Sequence, residues 1–161
     1  MEYINIGKIV TTHGIKGELK IISNFDYKKE AFKVGNKVYL GKEKIEEEIQ
    51  SYRVHKNYDM VTFKGYDNIN QVLKYKNNPV FINKEDLKID GYLDTDYIGL
   101  IVYMNDKMIG RIKNVIKIPN NSLFEIEDNK KIFYIPNNND LIEKIDIENK
   151  IIVIKYIEGL I

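Results

Sequence analysis

The chain has 161 residues, 43% of them hydrophobic and 30% charged, which suits one ordinary domain or two small ones and is too apolar for a disordered chain. It has no cysteine and a formal net charge of +1, which excludes a disulfide framework, thiolate metal or redox sites, and nucleic-acid binding by overall basicity. No signal-like leader opens it and no apolar run approaches the roughly 20 residues of a membrane helix, so a soluble, cytoplasmic protein is expected.

Alternation of apolar and polar residues at period two dominates the pattern. Ile4, Ile6, Lys8 and Val10, then Leu19 and Ile21, predict two strands around a glycine turn at 14–17. Strands at 37–40, 48–54, 60–63 and 80–82 continue the series. One helix is expected over 68–76: Asp67 caps it, Ile69, Val72 and Leu73 share a face, and Asn77, Asn78 and Pro79 stop it. The polar, acidic stretch 83–96 reads as a linker and the approach to a second unit. Beyond it, strands at 98–104 and 108–118 join through Asn105, Asp106 and Lys107, strands at 123–127 and 132–135 meet through Asp128 and Asn129, and 150–156 closes the series. Residues 137–145 suggest a helical turn with Leu141, Ile142 and Ile145 facing inward. Short strands at regular spacing favour barrels, because closure removes exposed edges. The expectation is an all-β protein of two small β-barrels with one or two short helices, and no nucleotide-binding α/β fold.

The charge is unevenly spread. Residues 1–90 carry 16 Lys+Arg against 13 Asp+Glu, residues 91–161 carry 9 against 11, and residues 1–44 alone hold nine lysines against five acids. A polyanion contact is therefore expected near the N-terminus. Arg53 and Arg111 are the only arginines, which leaves little for bidentate phosphate recognition. Gly14-Ile15-Lys16-Gly17 matches the Gly-x-x-Gly of KH modules, but strands flank it. A tight turn whose glycines supply positive φ is the simpler account, and His13 and Lys16 still stand where they can touch phosphate.

No catalytic centre is legible. His13 and His55 are the only histidines, neither lies in a recognisable arrangement with a serine and an acid, and His55 reads as an exposed hairpin residue. Glu46, Glu47 and Glu48 read as a solvated strand edge. Asp94 and Asp96 lack the glycine turn and further oxygen ligands of a hard-cation site, so no metal or other cofactor is expected. Tyr92 and Tyr97 bracket those acids, and tyrosines on such a segment either pack between domains or meet a partner.

Five segments follow one another as they do in a known family: "IGKIVTTHGIKGELKI", "YDMVTFKGYDNINQVLKYKNNPVFINKEDL", "DYIGLIVYMNDKMIGRIKNV", "FYIP" and "EGLI". In their order and spacing they resemble the ribosome maturation factor RimM family. The resemblance implies a translation-factor-like six-stranded barrel at 1–86, a linker at 87–95 and a PRC-type barrel at 96–161. It also implies a non-enzymatic assembly chaperone that binds the immature small ribosomal subunit near its head, contacts head ribosomal protein nineteen and assists maturation of 16S rRNA. An rRNA-processing or rRNA-modifying enzyme is the alternative. The family carries a Tyr-Tyr pair tied to the head protein; here Tyr92 matches the first tyrosine and Leu93 the second, with Tyr97 where leucine is usual. Tyr92, Leu93, Asp94, Asp96 and Tyr97 are thus the expected partner-binding residues, and His13, Lys16 and Lys20 the expected rRNA contacts.

Overall fold

The computed structural model describes residues 1–156, 158 and 159; Leu160 and Ile161 of the closing "EGLI" lie outside them. The chain divides into two compact units at Asp90/Gly91. Leu87 packs against the core of the first and Tyr92 against the core of the second.

The first unit contains β1 (Tyr3–His13), β2 (Glu18–Ile22), α1 (Lys28–Ala31), β3 (Lys37–Leu40), β4 (Ile45–His55), β5 (Tyr58–Phe63), α2 (Ile69–Val72) and β6 (Pro79–Asn83). Its strands close into a barrel in the order β1-β2-β5-β4-β3-β6. β1 pairs with both β2 and β6, so no strand edge is left open. The alternating residues meet in one interior cluster that includes Ile6, Leu19, Ile21, Val38, Leu40, Val61, Phe63, Val80 and Ile82.

Strict alternation fails in β1. The pairing register shifts between Asn5 and Gly7 and again between Ile9 and Thr11, and each extra residue turns the strand over. Ile6 and Ile9, three apart, therefore enter the core, while Lys8 is exposed and Val10 only half-buried. Gly7 is needed at the first shift: a Cβ there would stand 2.7 Å from the carbonyl oxygen of Ile22.

The expected helix is shorter and differently capped. Asn68, not Asp67, is the cap: its side-chain oxygen accepts the Asn70 N–H at 2.8 Å. After one turn the chain tightens into a 3-10 turn, Leu73–Tyr75. That geometry places residues three apart one above the other, so Val72 and Tyr75 face the core and Leu73 is 47% exposed. α1 carries no periodic apolar signature, yet its Ala31 and the following Phe32 are fully buried. Its Lys28 lies 3.2 Å from Asp59, a buried carboxylate that also accepts the Tyr52 hydroxyl at 2.6 Å. The acidic run is not an edge, because β4 sits between β5 and β3. Glu46 pairs with Lys37, Glu48 lies 3.8 Å from Lys64, and Glu47 accepts the hydroxyls of Tyr66 and Tyr75.

The second unit contains α3 (Asp94–Tyr97), β7 (Ile101–Met104), β8 (Lys107–Ile118), β9 (Asn121–Asp128), β10 (Lys131–Pro136), β11 (Ile142–Asp146) and β12 (Ile151–Ile154). They form a six-stranded sheet in the order β10-β9-β8-β7-β12-β11. Its inward residues gather in a single cluster built on Leu100, Val102, Ile112, Phe124, Ile126, Ile135 and Ile152. Asn105 and Asp106, both at positive φ, make the two-residue turn between β7 and β8.

The expected helical turn within 137–145 is confined to its first half, where the Leu141 and Ile142 N–H groups both donate to the Asn138 carbonyl; from Ile142 the chain is strand, and β11 runs antiparallel to β12 with a register shift between Ile142 and Lys144. That shift brings Ile142 and Ile145 to the same core, so a bulged strand produces the spacing of three that resembled a helical period. Ile98, expected to open a strand, instead ends α3, and the strand begins at Ile101.

Candidate functional site

Two groups of side chains answer to the candidate residues. The first is the segment 91–97. Leu93 precedes α3 in an extended conformation, and Asp96 fixes the helix start: its carboxylate accepts the Leu93 N–H at 2.8 Å while its own N–H donates to the Leu93 carbonyl at 2.9 Å. Leu93 and Tyr97 are four apart and therefore share a face of this single turn. Both are buried, at 5% and 7% exposure, and the Tyr97 ring lies against Phe124 in the core. Tyr97, which the sequence places on the approach to the second unit, is thus a core residue of that unit.

Tyr92 is placed differently. It is half-buried, packs on the rim of the same core, and meets Tyr97 edge to face at 5.9 Å. Asp94 is half-buried and lies 2.8 Å from the Lys117 ammonium on β8. Ile98, at 47% exposure, adds apolar surface to the segment. Of the five expected partner residues, Tyr92, Asp94 and Asp96 keep part of their surface open, while Leu93 and Tyr97 hold them in place.

The second group lies on the outside of the barrel. Gly14 and Gly17 adopt φ of +70° and +92°, the left-handed conformation for which the turn needs glycine. The turn is anchored where the Ile69 N–H donates to the Ile15 carbonyl at 2.9 Å. Lys16 is exposed on it. His13 and Lys20 belong to a larger cluster: His13 faces His55 with ring centroids 5.5 Å apart, and the Lys20 ammonium stands 4.6 Å above the Tyr58 ring. Arg53 grips Glu18 with two hydrogen bonds of 2.9 and 2.7 Å. Those bonds hold the Glu18 carboxyl below its ordinary value despite its partial burial. Burial first, then the charges of Arg53 and Lys56 with His13 and Lys20, hold the His55 imidazole below its ordinary range. Met60, the register partner of both Lys20 and Arg53, is fully buried amid them.

Arg53, His55, Lys56 and Tyr58 were not among the expected contacts. The two-residue turn Lys56–Asn57 between alternating strands was the available signal, since it sets His55 opposite Tyr58. Their approach to His13 depends on the barrel's strand order, which the sequence does not display. Among the described residues no group of three or more His, Asp or Glu side chains is arranged to hold a metal ion. No helix among them is long and apolar enough to cross a membrane.

Comparison with known proteins fits both units. The RimM N-terminal domain model matches residues 4–87 and the RimM PRC barrel domain model residues 94–160. The chain belongs to the RimM family. It is 40% identical over 167 residues to the ribosome maturation factor RimM of Ligilactobacillus salivarius and 34% identical over 169 residues to that of Bacillus cereus, with 99% of each chain covered in both cases. The solution structure of the N-terminal domain of RimM from Thermus thermophilus is similar at 16% identity and a TM-score of 0.47, covering 55% of this chain and 98% of that one. In RimM terms the closed barrel is the N-terminal domain and the second sheet belongs to the PRC barrel domain. Tyr92 and Leu93 fall between the two matched regions, and Asp94, Asp96 and Tyr97 fall within the second.

Proposed function

We propose that this RimM-family protein is a non-enzymatic assembly factor of the small ribosomal subunit. On this reading it works in the cytoplasm, binds head ribosomal protein nineteen through the segment centred on Tyr92, and meets 16S rRNA of the immature subunit through the barrel face that carries His13, Lys16 and Lys20. The observation that carries the reading is similarity to ribosome maturation factors across 99% of both chains, so that both units are shared with them. The geometry supports the partner site in two ways. Tyr92 is a large aromatic held on a rigid support rather than on a free linker, which lowers the ordering cost of an anchor. Beside it, Asp94, paired with Lys117, and Asp96, which caps α3, each keep part of their surface open to a basic partner, where negative charge acts chiefly by speeding and orienting encounter.

The test is binding of the purified protein to isolated ribosomal protein nineteen, scored beside thermal melting for Tyr92→Ala, Leu93→Ala and Tyr97→Ala. Loss of binding by Tyr92→Ala is expected, with a smaller fall in melting temperature than Tyr97→Ala produces. Normal binding by all three folded variants would move the partner site elsewhere on the second unit. The reading assigns the protein no chemistry, so cleavage or mass change of precursor rRNA by the purified protein alone would overturn it in favour of an enzyme.

A further inference from the structure

The outer barrel face holds more than the three residues assigned to rRNA above. His13 at the end of β1 and His55 at the end of β4 lie 5.5 Å apart, ring to ring. Lys20 stands over Tyr58, and Lys56 occupies the first position of the turn after His55 with φ of 49°. Lysine is a costlier occupant of that left-handed position than asparagine, which opens the β7–β8 turn. The chain also accepts lysine at positive φ at Lys44 and Lys150, so the backbone alone assigns nothing. What distinguishes Lys56 is that its charge acts on His55 together with those of Arg53, His13 and Lys20. The carboxylate facing both imidazoles is Glu18, and Arg53 already engages both of its oxygens.

We propose that Lys20, Arg53, Lys56, His13 and His55 form one binding site for the phosphodiester backbone of RNA, and that RNA enters it together with a proton taken up by His55. The proposal rests on the rRNA-contact reading above and adds to it both the β4–β5 residues and a proton linkage. An extended polyanion is the fitting ligand because these groups are spread over β1, β2, β4 and the β4–β5 turn on the convex outside of a barrel, whereas small ligands take concave sites. In the free protein burial and the neighbouring charges of Arg53, Lys56, His13 and Lys20 oppose protonation of His55. A phosphate against that ring reverses the balance and favours the charged form. Binding therefore tightens as pH falls through the imidazole range. Glu18 does not blur this effect, since Arg53 keeps it ionised below that range.

The experiment uses the full chain and a fluorescein-labelled RNA hairpin, titrated at low salt near pH 5.5 and near pH 7.5. Binding at least several-fold tighter at the lower pH is expected. A double variant His13→Gln/His55→Gln is expected to melt normally and to lose most of the pH dependence. Lys56→Glu is expected to weaken binding at both pH values and to reduce the log–log salt slope by about one. Affinity independent of pH, pH dependence retained by the double variant, or polyglutamate competing as well as RNA would each overturn the proposal. Sedimentation with immature small subunits separates the two levels. Failure to bind the hairpin with normal co-sedimentation overturns this site and leaves the assembly reading standing, whereas failure of both removes both.

Discussion

The ring of Tyr97 lies 4.9 Å from that of Phe124, tilted by 52°. This contact ties the turn α3 to strand β9 and so fixes the backbone that carries Tyr92. Stability and recognition on this segment belong to neighbouring residues, which makes them separable by mutation.

Tyr97→Ala is expected to destabilise the second unit by about 3 kcal/mol or more, the usual cost of emptying an aromatic core position. Tyr97→Phe keeps the ring and is expected to change little. Tyr92→Ala is expected to cost less in stability and about 2 kcal/mol or more in binding to the ribosomal protein, as buried anchors do. Urea unfolding beside a binding titration separates these effects, and the reverse pattern would make Tyr92 the structural residue.

The hydroxyls of Tyr75 and Tyr66 converge on Glu47, and that of Tyr52 on Asp59. Burial first, then hydrogen bonding to the carboxylates, pushes the Tyr75 and Tyr52 phenols well above the ordinary tyrosine value. A raised folded-state value means that this stabilisation is complete below about pH 10, the unfolded value, and is lost as pH rises beyond it. Alkaline unfolding is therefore expected to be steep, and less so in Tyr75→Phe. At neutral pH that variant is expected to lose about 2 kcal/mol with one hydrogen bond to a charged group. Equal alkaline slopes in the two proteins would remove Tyr75 from this account.

On the acid side both perturbed groups of the outer cluster act in one direction. The folded values of His55 and Glu18 are lowered, so each contributes stability above its unfolded value and loses it as pH falls. The decline begins below about pH 6.5 for His55 and below about pH 4.5 for Glu18. His55→Gln is expected to flatten the first part of the curve and Glu18→Gln the second, read from urea midpoints across a pH series. A wild-type midpoint that rises on acidification would contradict both assignments.

The residues of the two core clusters do not overlap. A fragment beginning at Gly91 is therefore expected to fold alone, with strand-type circular dichroism and a cooperative melt. Aggregation, or a non-cooperative melt, would show that the second unit needs the first.

Most strands were legible because each buries one face, and alternation reports that directly. Legibility failed where a bulge intervened. Ile6 and Ile9 in β1, and Ile142 and Ile145 in β11, are three apart and share a core, a spacing that belongs equally to a helix. Before β11 the helical turn closes on Asn138 but stops at Ile142, so only its continuation to Ile145 differs from the expectation, while in β1 the glycine at Gly7 was an unused sign of close backbone approach. The site was legible in part. The Gly91–Tyr97 segment stood out through its aromatics and acids, but burial of Tyr97 needed the four-residue spacing from Leu93 to be read as a helical turn. The His13–His55 pair was beyond reach, because it joins residues 42 positions apart (55 minus 13) that meet through barrel closure alone.

The pairing of β12 with β7 is parallel, and β12 lies between β7 and β11. The order of synthesis follows from this. The barrel of the first unit has all its strands once Asn83 is made, whereas the second unit lacks an inner strand until Ile154 is made. During translation β11 has no ladder partner, and one side of β7 stays unpaired, until β12 emerges. A ribosome that stalls before Ile151 thus holds a finished barrel followed by a sheet in which one side of β7 is bare and β11 has no ladder partner, a species for chaperones to shield or proteases to remove.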